Sequence, residues 1–348
     1  MTDHRAMRTL GWIAVALIAV AAVATLDPAR LGPDGATLST ANAAMQFIAL
    51  RPWLVLGFTV AATLTGLLAA GMLRWRGRAP RLITVVVILG LTAVGHGAVL
   101  AGRGLSAGGV PTAATETADE ITLLNLNLRG RAADTDDVVD LVREAGVDVL
   151  VLPESGGDVL GELADALAAA GERFEAFAGT RGVSDPDGTG ILVSESMGAY
   201  EEVPSTERSV LRIVPVSGDG PPITAVHPRS PPGIRTALVR PQALQTWRDE
   251  VAAVAPLCAQ TPGGIVAGDF NATLDHAPMR TIAPCVDASV LAGIGGVSTY
   301  PVRMPALLGT TIDHVLIDPA DFEVTAGAVV EVPGTDHRGV LIRLVPVR

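Results

Sequence analysis

The stretch Ile265-Val266-Ala267-Gly268-Asp269-Phe270-Asn271-Ala272-Thr273 decides how the chain is read. Three apolar residues and a glycine predict a buried strand that delivers Asp269 and Asn271 two positions apart, on one face if the strand continues. A carboxylate and a carboxamide then stand side by side at a strand end. The carboxylate can orient or deprotonate a water, and the neutral amide can hold a phosphate oxygen without adding negative charge. Gly, Asp and Asn are also ordinary turn residues. The stretch alone therefore does not separate a site from a turn.

Working outward, five other apolar runs finish in, or lead into, polar residues unsuited to a core. Asn125 and Asn127 share a face at the end of the first. Val149-Leu150-Val151-Leu152-Pro153-Glu154 delivers a glutamate, and Thr224-Ala225-Val226-His227-Pro228 an imidazole. Asp313 lies in the apolar run Thr311-Ile312-Asp313-His314-Val315-Leu316-Ile317, and Gly334-Thr335-Asp336-His337-Arg338-Gly339 precedes the last. Six such ends on one rim would form a binding site. Their chemistry suits phosphate-ester hydrolysis. Glu154, Asn127 and Asp336 offer oxygen ligands to a hard cation, Mg²⁺ or alternatively Mn²⁺. Such an ion neutralises charge in the in-line transition state. His337 is the proton-transfer candidate with Asp313 as its carboxylate partner, and His227 is a second imidazole for the phosphate.

Strands are expected at 121–128, 147–152, 190–194, 209–216, 223–226, 264–268, 312–317, 322–329 and 339–345, with helices at 134–145, 158–170 and 238–257. Short antiparallel-looking runs mixed with helix-bearing crossovers predict an α/β fold, a four-layer sandwich of two mixed sheets covered by helices. No Rossmann fingerprint occurs, because the Gly-rich pieces lack the strand-to-helix placement.

Charge divides the chain of 348 residues. Residues 1–110 hold 9 Arg against 3 Asp, whereas 111–348 hold 16 Arg against 33 acidic residues, which together give the net −11. Lysine is absent, so Schiff-base chemistry is excluded. The acidic second part lacks the basic footprint of a tight duplex binder. A mean hydropathy of +0.42 reflects apolar runs at about 10–26, 52–73 and 82–101, each read as a transmembrane helix of a membrane domain spanning 1–102. Four arginines at 74–81 and the Arg5/Arg8 end place those segments in the cytoplasm. Three spans then put everything beyond Arg103 outside, in a multi-pass protein of the cell membrane. Gly57, Gly66 and Gly71 are read as close helix contacts, and His96 either as a functional intramembrane group or as a packed one. Residues 103–119 read as a flexible linker, and 120–348 as one globular domain. Cys258 and Cys285 suit a disulfide in an external domain.

With these residues in place, the chain over about 120–346 resembles the endonuclease/exonuclease/phosphatase superfamily, with its deoxyribonuclease I-like fold, in a membrane-anchored bacterial form. The superfamily includes pancreatic-type deoxyribonuclease, abasic-site endonucleases, neutral sphingomyelinases and inositol polyphosphate phosphatases. The resemblance rests on the Asn-bearing first strand, Glu154, His227, Gly268-Asp269-Phe270-Asn271, Ile312-Asp313-His314 and Asp336-His337. It implies that Asn127 and Glu154 hold the metal, that His337 pairs with Asp313, that Asp269 positions or activates water, and that Asn271 binds phosphate. Pro153 departs from the pattern, standing where the superfamily commonly has Gln; it offers no amide side chain and no backbone donor.

Other residues carry two readings. Asp275 and His276 suit helix capping or metal ligation; His314 should face away from Asp313; Tyr300 either lines the substrate mouth or anchors a loop. Arg229, Arg235 and Arg240 either meet a phosphate-rich ligand or are solvated. Two functions follow. One is an external, metal-dependent phosphodiesterase, nuclease or phosphatase acting on a phosphoester such as a lipid headgroup, nucleotide or nucleic acid. The other is a catalytically inactive binding or interaction module on the same fold, for which Pro153 is the main argument.

Overall fold

The computed structural model describes residues 2–32, 37–115, 120–179, 188–205, 209–217 and 220–347. The chain falls into two compact units, Met1–Ala101 with Asp275–Ala277, and Gly102–Leu274 with Pro278–Arg348.

The first unit contains α1 (Thr2–Ala24), α2 (Ala44–Ala49), α3 (Arg51–Arg76) and α4 (Pro80–Arg103). Segments Met7–Ala24, Arg51–Arg76 and Pro80–Arg103 are long and apolar enough to cross a membrane. Leu17, Val20, Leu64, Leu67, Leu91 and Val94 are exposed on them, a distribution suited to a lipid solvent rather than to water. Proline at their first turns sets the start of α3 and α4, where a backbone donor is not needed. Gly77, at φ 66°, ends α3 and returns its N–H to Leu73 O. Val15 and Ala22 pack with Val85 and Leu89. The glycine reading is corrected at two positions: nothing lies within 4 Å of where a Cβ on Gly57 or Gly71 would stand. Close approach occurs instead at Gly95, against Leu26. His96 is packed and fully buried.

The second unit runs β1 (Ile121–Asn125), α5 (Thr135–Ala145), β2 (Val149–Pro153), α6 (Gly157–Ala169), β3 (Phe174–Ala178), β4 (Thr189–Ser194), β5 (Tyr200–Val203), β6 (Val210–Pro215), β7 (Ile223–Val226), α7 (Ile234–Val239), α8 (Pro241–Val254), β8 (Ile265–Asp269), β9 (Val286–Asp287), α9 (Ala288–Leu291), β10 (Asp313–Ile317), β11 (Phe322–Glu331) and β12 (Arg338–Pro346). Two six-stranded sheets result, ordered β11-β12-β1-β2-β4-β3 and β5-β6-β7-β8-β10-β9. Each holds one parallel pair, β1 with β2 and β7 with β8, and parallel neighbours require a crossover. Helix α5 supplies the first crossover and α7 with α8 the second. With helices on the outside of both sheets, this is a four-layer α/β sandwich.

Alternation explains why β2 is apolar on both faces. Val149 and Val151 face the core between the sheets with Leu123, Ile191, Ala267 and Val315. Leu150 and Leu152 face α5 and α6 with Leu124, Val138, Leu160 and Leu163. Asp134 caps α5 by accepting from the N–H groups of Asp136 and Asp137, and Gly146 closes it at φ 66°.

Three strands escape the sequence reading. Strand β3 lies at a sheet edge and is largely exposed, β5 carries Glu201 and Glu202, and β9 has two residues. The helix expected at 238–257 is divided at Pro241, which opens α8 after α7 has ended at Val239. Part of the expected linker, 116–119, lies outside the described residues. Its earlier part differs from a free tether: Ala107 O accepts from Val329 N–H, and Gly104 O from Gly296 N–H. A Cβ on Gly104 would stand 1.9 Å from Gly293 O, so glycine serves close approach there.

Cys258 and Cys285 form a disulfide across a sequence separation of 27. Closing a loop of that length restricts the unfolded chain. Replacing both by Ser is expected to lower stability by roughly 3–4 kcal/mol, read as a shift in the denaturation midpoint of the full chain.

Candidate active site

Strand pairing brings the six polar ends to one rim. Asp269 and Asp313 are direct partners across β8 and β10, and Val226, the residue before His227, pairs with Gly268. Beyond β1 the chain continues its pairing, Leu126 N–H donating to Val151 O and Leu128 N–H to Pro153 O, so Asn127 arrives beside Glu154. The Pro153 carbonyl is thus used in the pairing.

Asp269 is the hub. Its Oδ2 lies 3.2 Å from Asn127 Nδ2, 3.8 Å from His337 Nε2 and 3.9 Å from His227 Nε2. Its Oδ1 accepts from Asn271 N–H at 2.8 Å. Glu154 Oε1 accepts from Asn127 Nδ2 at 3.0 Å and lies 3.9 Å from His227 Nε2. Asn127 therefore turns its NH₂ to two carboxylates while its oxygen accepts from Arg129 N–H. His337 Nδ1 donates to Asp313 Oδ2 at 2.9 Å. Asn271 Nδ2 donates to Pro228 O at 2.9 Å, which uses one of the amide's two hydrogens.

Burial and charge set the protonation states. Burial pushes the Asp269 carboxyl up to about 6, and the facing Asp313 carboxylate adds to this against the pull of His337 and His227. Burial alone would lower His337, but the charge and hydrogen bond of Asp313, with Asp269 and Asp336, raise it to about 10. At neutral pH the ring is thus a cation able to donate a proton, and Asp269 is an ionised acceptor.

Three of the four non-glycine residues with positive φ among the described residues border this site: Arg129 at 49°, Glu154 at 54° and Asn271 at 49°. Such backbone is held only where surrounding contacts impose it, and it concentrates at functional sites. Trp247 Nε1 donates to Asn271 O at 3.1 Å, and Gly130 N–H to Glu154 O at 2.8 Å.

Tyr300 is half-buried with its ring against that of His337, centroids 4.8 Å apart. Asp336 Oδ1 lies 3.8 Å from Arg129 Nε. Asn125 points elsewhere, its Nδ2 donating to Gly268 O. Asp275 pairs with Arg51. His314 faces away from Asp313, donating to Asp287 Oδ2 and Ala272 O. Both partners are acceptors, so the ring carries two protons; Asp287 raises its pKa against the effect of burial.

Several supports are not legible as site residues. Thr335 Oγ1 donates to Asn127 O and accepts from His337 N–H. Thr299 Oγ1 accepts from the N–H groups of Ile312 and Asp313. Buried Arg338 donates to the carbonyls of Ser298, Val302 and Met304, which hold the segment carrying Tyr300. The sole sequence signal among these is the adjacency of Thr335 and Arg338 to Asp336-His337.

Two groups of candidate metal ligands occur among the described residues, Glu154–His227–Asp269 and Asp269–Asp313–His337. Asp336 is in neither. The donor set fits a hard divalent cation: it is rich in carboxylate oxygen, and the buried Asp313 Oδ1 has no hydrogen-bond partner among the described residues.

The chain belongs to the Endonuclease/Exonuclease/phosphatase family, whose model matches residues 123–337. No curated protein matches it in sequence. Among solved structures, an endonuclease/exonuclease/phosphatase family protein of Bacteroides thetaiotaomicron aligns at 15% identity and TM-score 0.46, covering 65% of this chain and 97% of that one. A humanised D. rerio TDP2 aligns at 16% identity and TM-score 0.48, covering 65% and 99%. A mannosyl-6-phosphatase of B. thetaiotaomicron aligns at 16% identity and TM-score 0.44, again covering 65% and 99%.

Because the folded His337 pKa is raised from 6.5 to about 10, its contribution to stability is fully present below pH 6.5 and is lost as pH rises through about 10. In chelator-treated protein, the melting temperature should fall over that window more in the wild type than in His337→Gln. Parallel pH profiles would contradict the assignment.

Proposed function

We propose that the second unit is a divalent-metal-dependent phosphoester hydrolase, a phosphodiesterase, nuclease or phosphatase, held at the membrane by the three apolar helices with the catalytic unit outside the cytoplasm. The observation carrying this reading is the meeting of Asn127, Glu154, His227, Asp313 and His337 around the buried Asp269 carboxylate. Positive-φ backbone at Arg129, Glu154 and Asn271 supports reading this rim as a functional site. Pro153 leaves the rim intact, since its carbonyl takes the place of a paired strand residue.

Glu154, with the neighbouring donors of Asp269 and His227, would hold Mg²⁺ or Mn²⁺, which would supply charge neutralisation at the phosphate; the Asn127 oxygen, which accepts from Arg129 N–H here, would join them only with its amide turned over. The remaining roles belong to the chain. Asp269, held by Asn127 and by the Asn271 N–H, positions or activates the attacking water. His337, kept cationic by Asp313, offsets negative charge growing on the phosphoryl oxygens from Nε2 and can supply a proton there. His227 lies between Glu154 and Asp269 and contacts the same phosphate. Asn271 directs its second amide hydrogen at a phosphoryl oxygen, its first being fixed on Pro228 O. Tyr300, packed on His337, lines the mouth. Asp336 acts at a distance through the charge it adds beside His337.

Full-length protein in detergent should hydrolyse bis-p-nitrophenyl phosphate or a natural phosphoester, and EDTA should abolish this. Glu154→Gln and His337→Ala should each lower kcat by about 10²–10⁴-fold. Binding of Mg²⁺ or Mn²⁺ with no turnover across a broad ester panel would remove the enzyme reading in favour of the binding module.

Orientation is tested separately. Reporter fusions after Ala101 should be active with an extracytoplasmic reporter and silent with a cytoplasmic one; the reverse pattern would place the second unit inside the cell.

A further inference from the structure

Strand β8 runs into a turn whose hold comes from other elements of the second unit. Phe270 N–H donates to Ile312 O at 2.9 Å, carrying the pairing of β8 with β10 one residue past the strand. The chain then turns, with Asn271 at φ 49°, and side chains take the next two carbonyls. Trp247 Nε1 donates to Asn271 O at 3.1 Å, and His314 Nε2 donates to Ala272 O at 2.9 Å. Phe270, Ala272, Trp247 and His314 are all fully buried. A carbonyl in such a place cannot turn to water when its donor is lost, so each bond is costly to leave unmade.

Both donors are themselves held. His314 Nδ1 donates to Asp287 Oδ2 at 2.7 Å, and Phe270 meets the imidazole edge-on, ring centroids 5.5 Å apart. Asp287 opens α9, its Oδ1 accepting from Ser289 N–H at 2.9 Å. The carboxylate gives the ring a charge-assisted bond that a neutral amide would not match. Trp247 lies within α8, buried with Leu244, Val251 and Val254. Cys258 follows α8, Cys285 immediately precedes β9, and the disulfide between them joins the two supports covalently. His314, Trp247 and Asp287 belong to neither group of candidate metal ligands.

We propose that His314 and Trp247 are positioning residues for Asn271. By holding consecutive carbonyls they fix the left-handed turn that aims the Asn271 amide at a phosphoryl oxygen. The inference rests on Asn271 binding phosphate, as proposed above. The bond to Pro228 O fixes one amide hydrogen; the direction of the other follows from where the Asn271 backbone stands. A side chain needed for folding alone would cost stability without regard to what occupies position 271.

That difference is measurable in the full chain in nanodiscs. His314→Gln replaces two opposed ring donors by one nitrogen, and Trp247→Phe keeps a ring and removes the N–H. Asp287→Asn keeps a capping side chain for α9 and removes the charge facing His314. Each change is made alone and together with Asn271→Ala, and kcat for bis-p-nitrophenyl phosphate is compared. With Asn271 present, kcat should fall by about fivefold or more in each variant. On the Asn271→Ala background the same changes should cost less than about twofold, because the amide they aim is gone. Unchanged kcat, or equal losses on both backgrounds, would overturn the proposal. If His314→Gln does not fold, the other two variants carry the comparison. A wild type that cleaves no ester would remove the hydrolase reading, and hydrogen exchange of peptides covering 270–273 then decides. Exchange there should quicken in the variants while that of β12 holds; no change, or equal loosening of β12, would overturn the assignment.

Discussion

Two carboxylates that cannot escape each other govern the second unit. Asp269 and Asp313 are 1% and 0% exposed and directly opposed on neighbouring strands. Burying one charge without a partner is costly, and burying two of the same sign is worse. The pair persists because His337 lies between them as a cation and Asn127 adds donors from the other sheet. Removing the imidazole would leave a proton or a metal ion as the remaining means of neutralisation. That demand for positive charge, created by the strand register, is what makes this rim suited to a phosphate and a divalent cation.

The scaffold meets the demand by bringing both sheets to one edge. Asn127 and Glu154 come from the sheet of β1 and β2; His227, Asp269 and Asp313 come from the sheet of β7, β8 and β10. Gly268 makes the junction possible. At φ 152°, a Cβ there would stand 1.9 Å from Val226 O, and its own carbonyl accepts from Asn125 across the sandwich. The unremarkable glycine before Asp269 is thus as much a part of the site as the carboxylate it precedes.

Much of this is legible in the sequence because strand periodicity is local. An apolar run that stops at Asp, Asn, Glu or His states both the strand and the polar end, and His227, Asp269, Asp313 and His337 all meet. What is not legible depends on partners far along the chain. Arg51 and Asp275 are 224 residues apart, and Thr335 reaches Asn127 across 208. Arg338 reads as a solvated charge beside His337 until its carbonyl partners are known. Asp336 reads as a ligand by adjacency; its carboxylate lies 3.8 Å from Arg129 Nε and adds to the positive bias on His337. The orientation of the Asn127 amide is set by neighbours that no spacing rule supplies. Glycines at 104 and 108 show the same limit: composition suggests slack, whereas the space around them shows crowding.

The neighbour relation between β1 and β12 has a bearing on biosynthesis. The opening strand of the sandwich obtains one flank only after some two hundred further residues have been translated, and His337 is supplied by that same late segment. A nascent polypeptide would carry Asn127 and Glu154 well before it could assemble a working centre. Non-local closure of this kind is slow, so the rim is completed only after the last strand of the sandwich has been made.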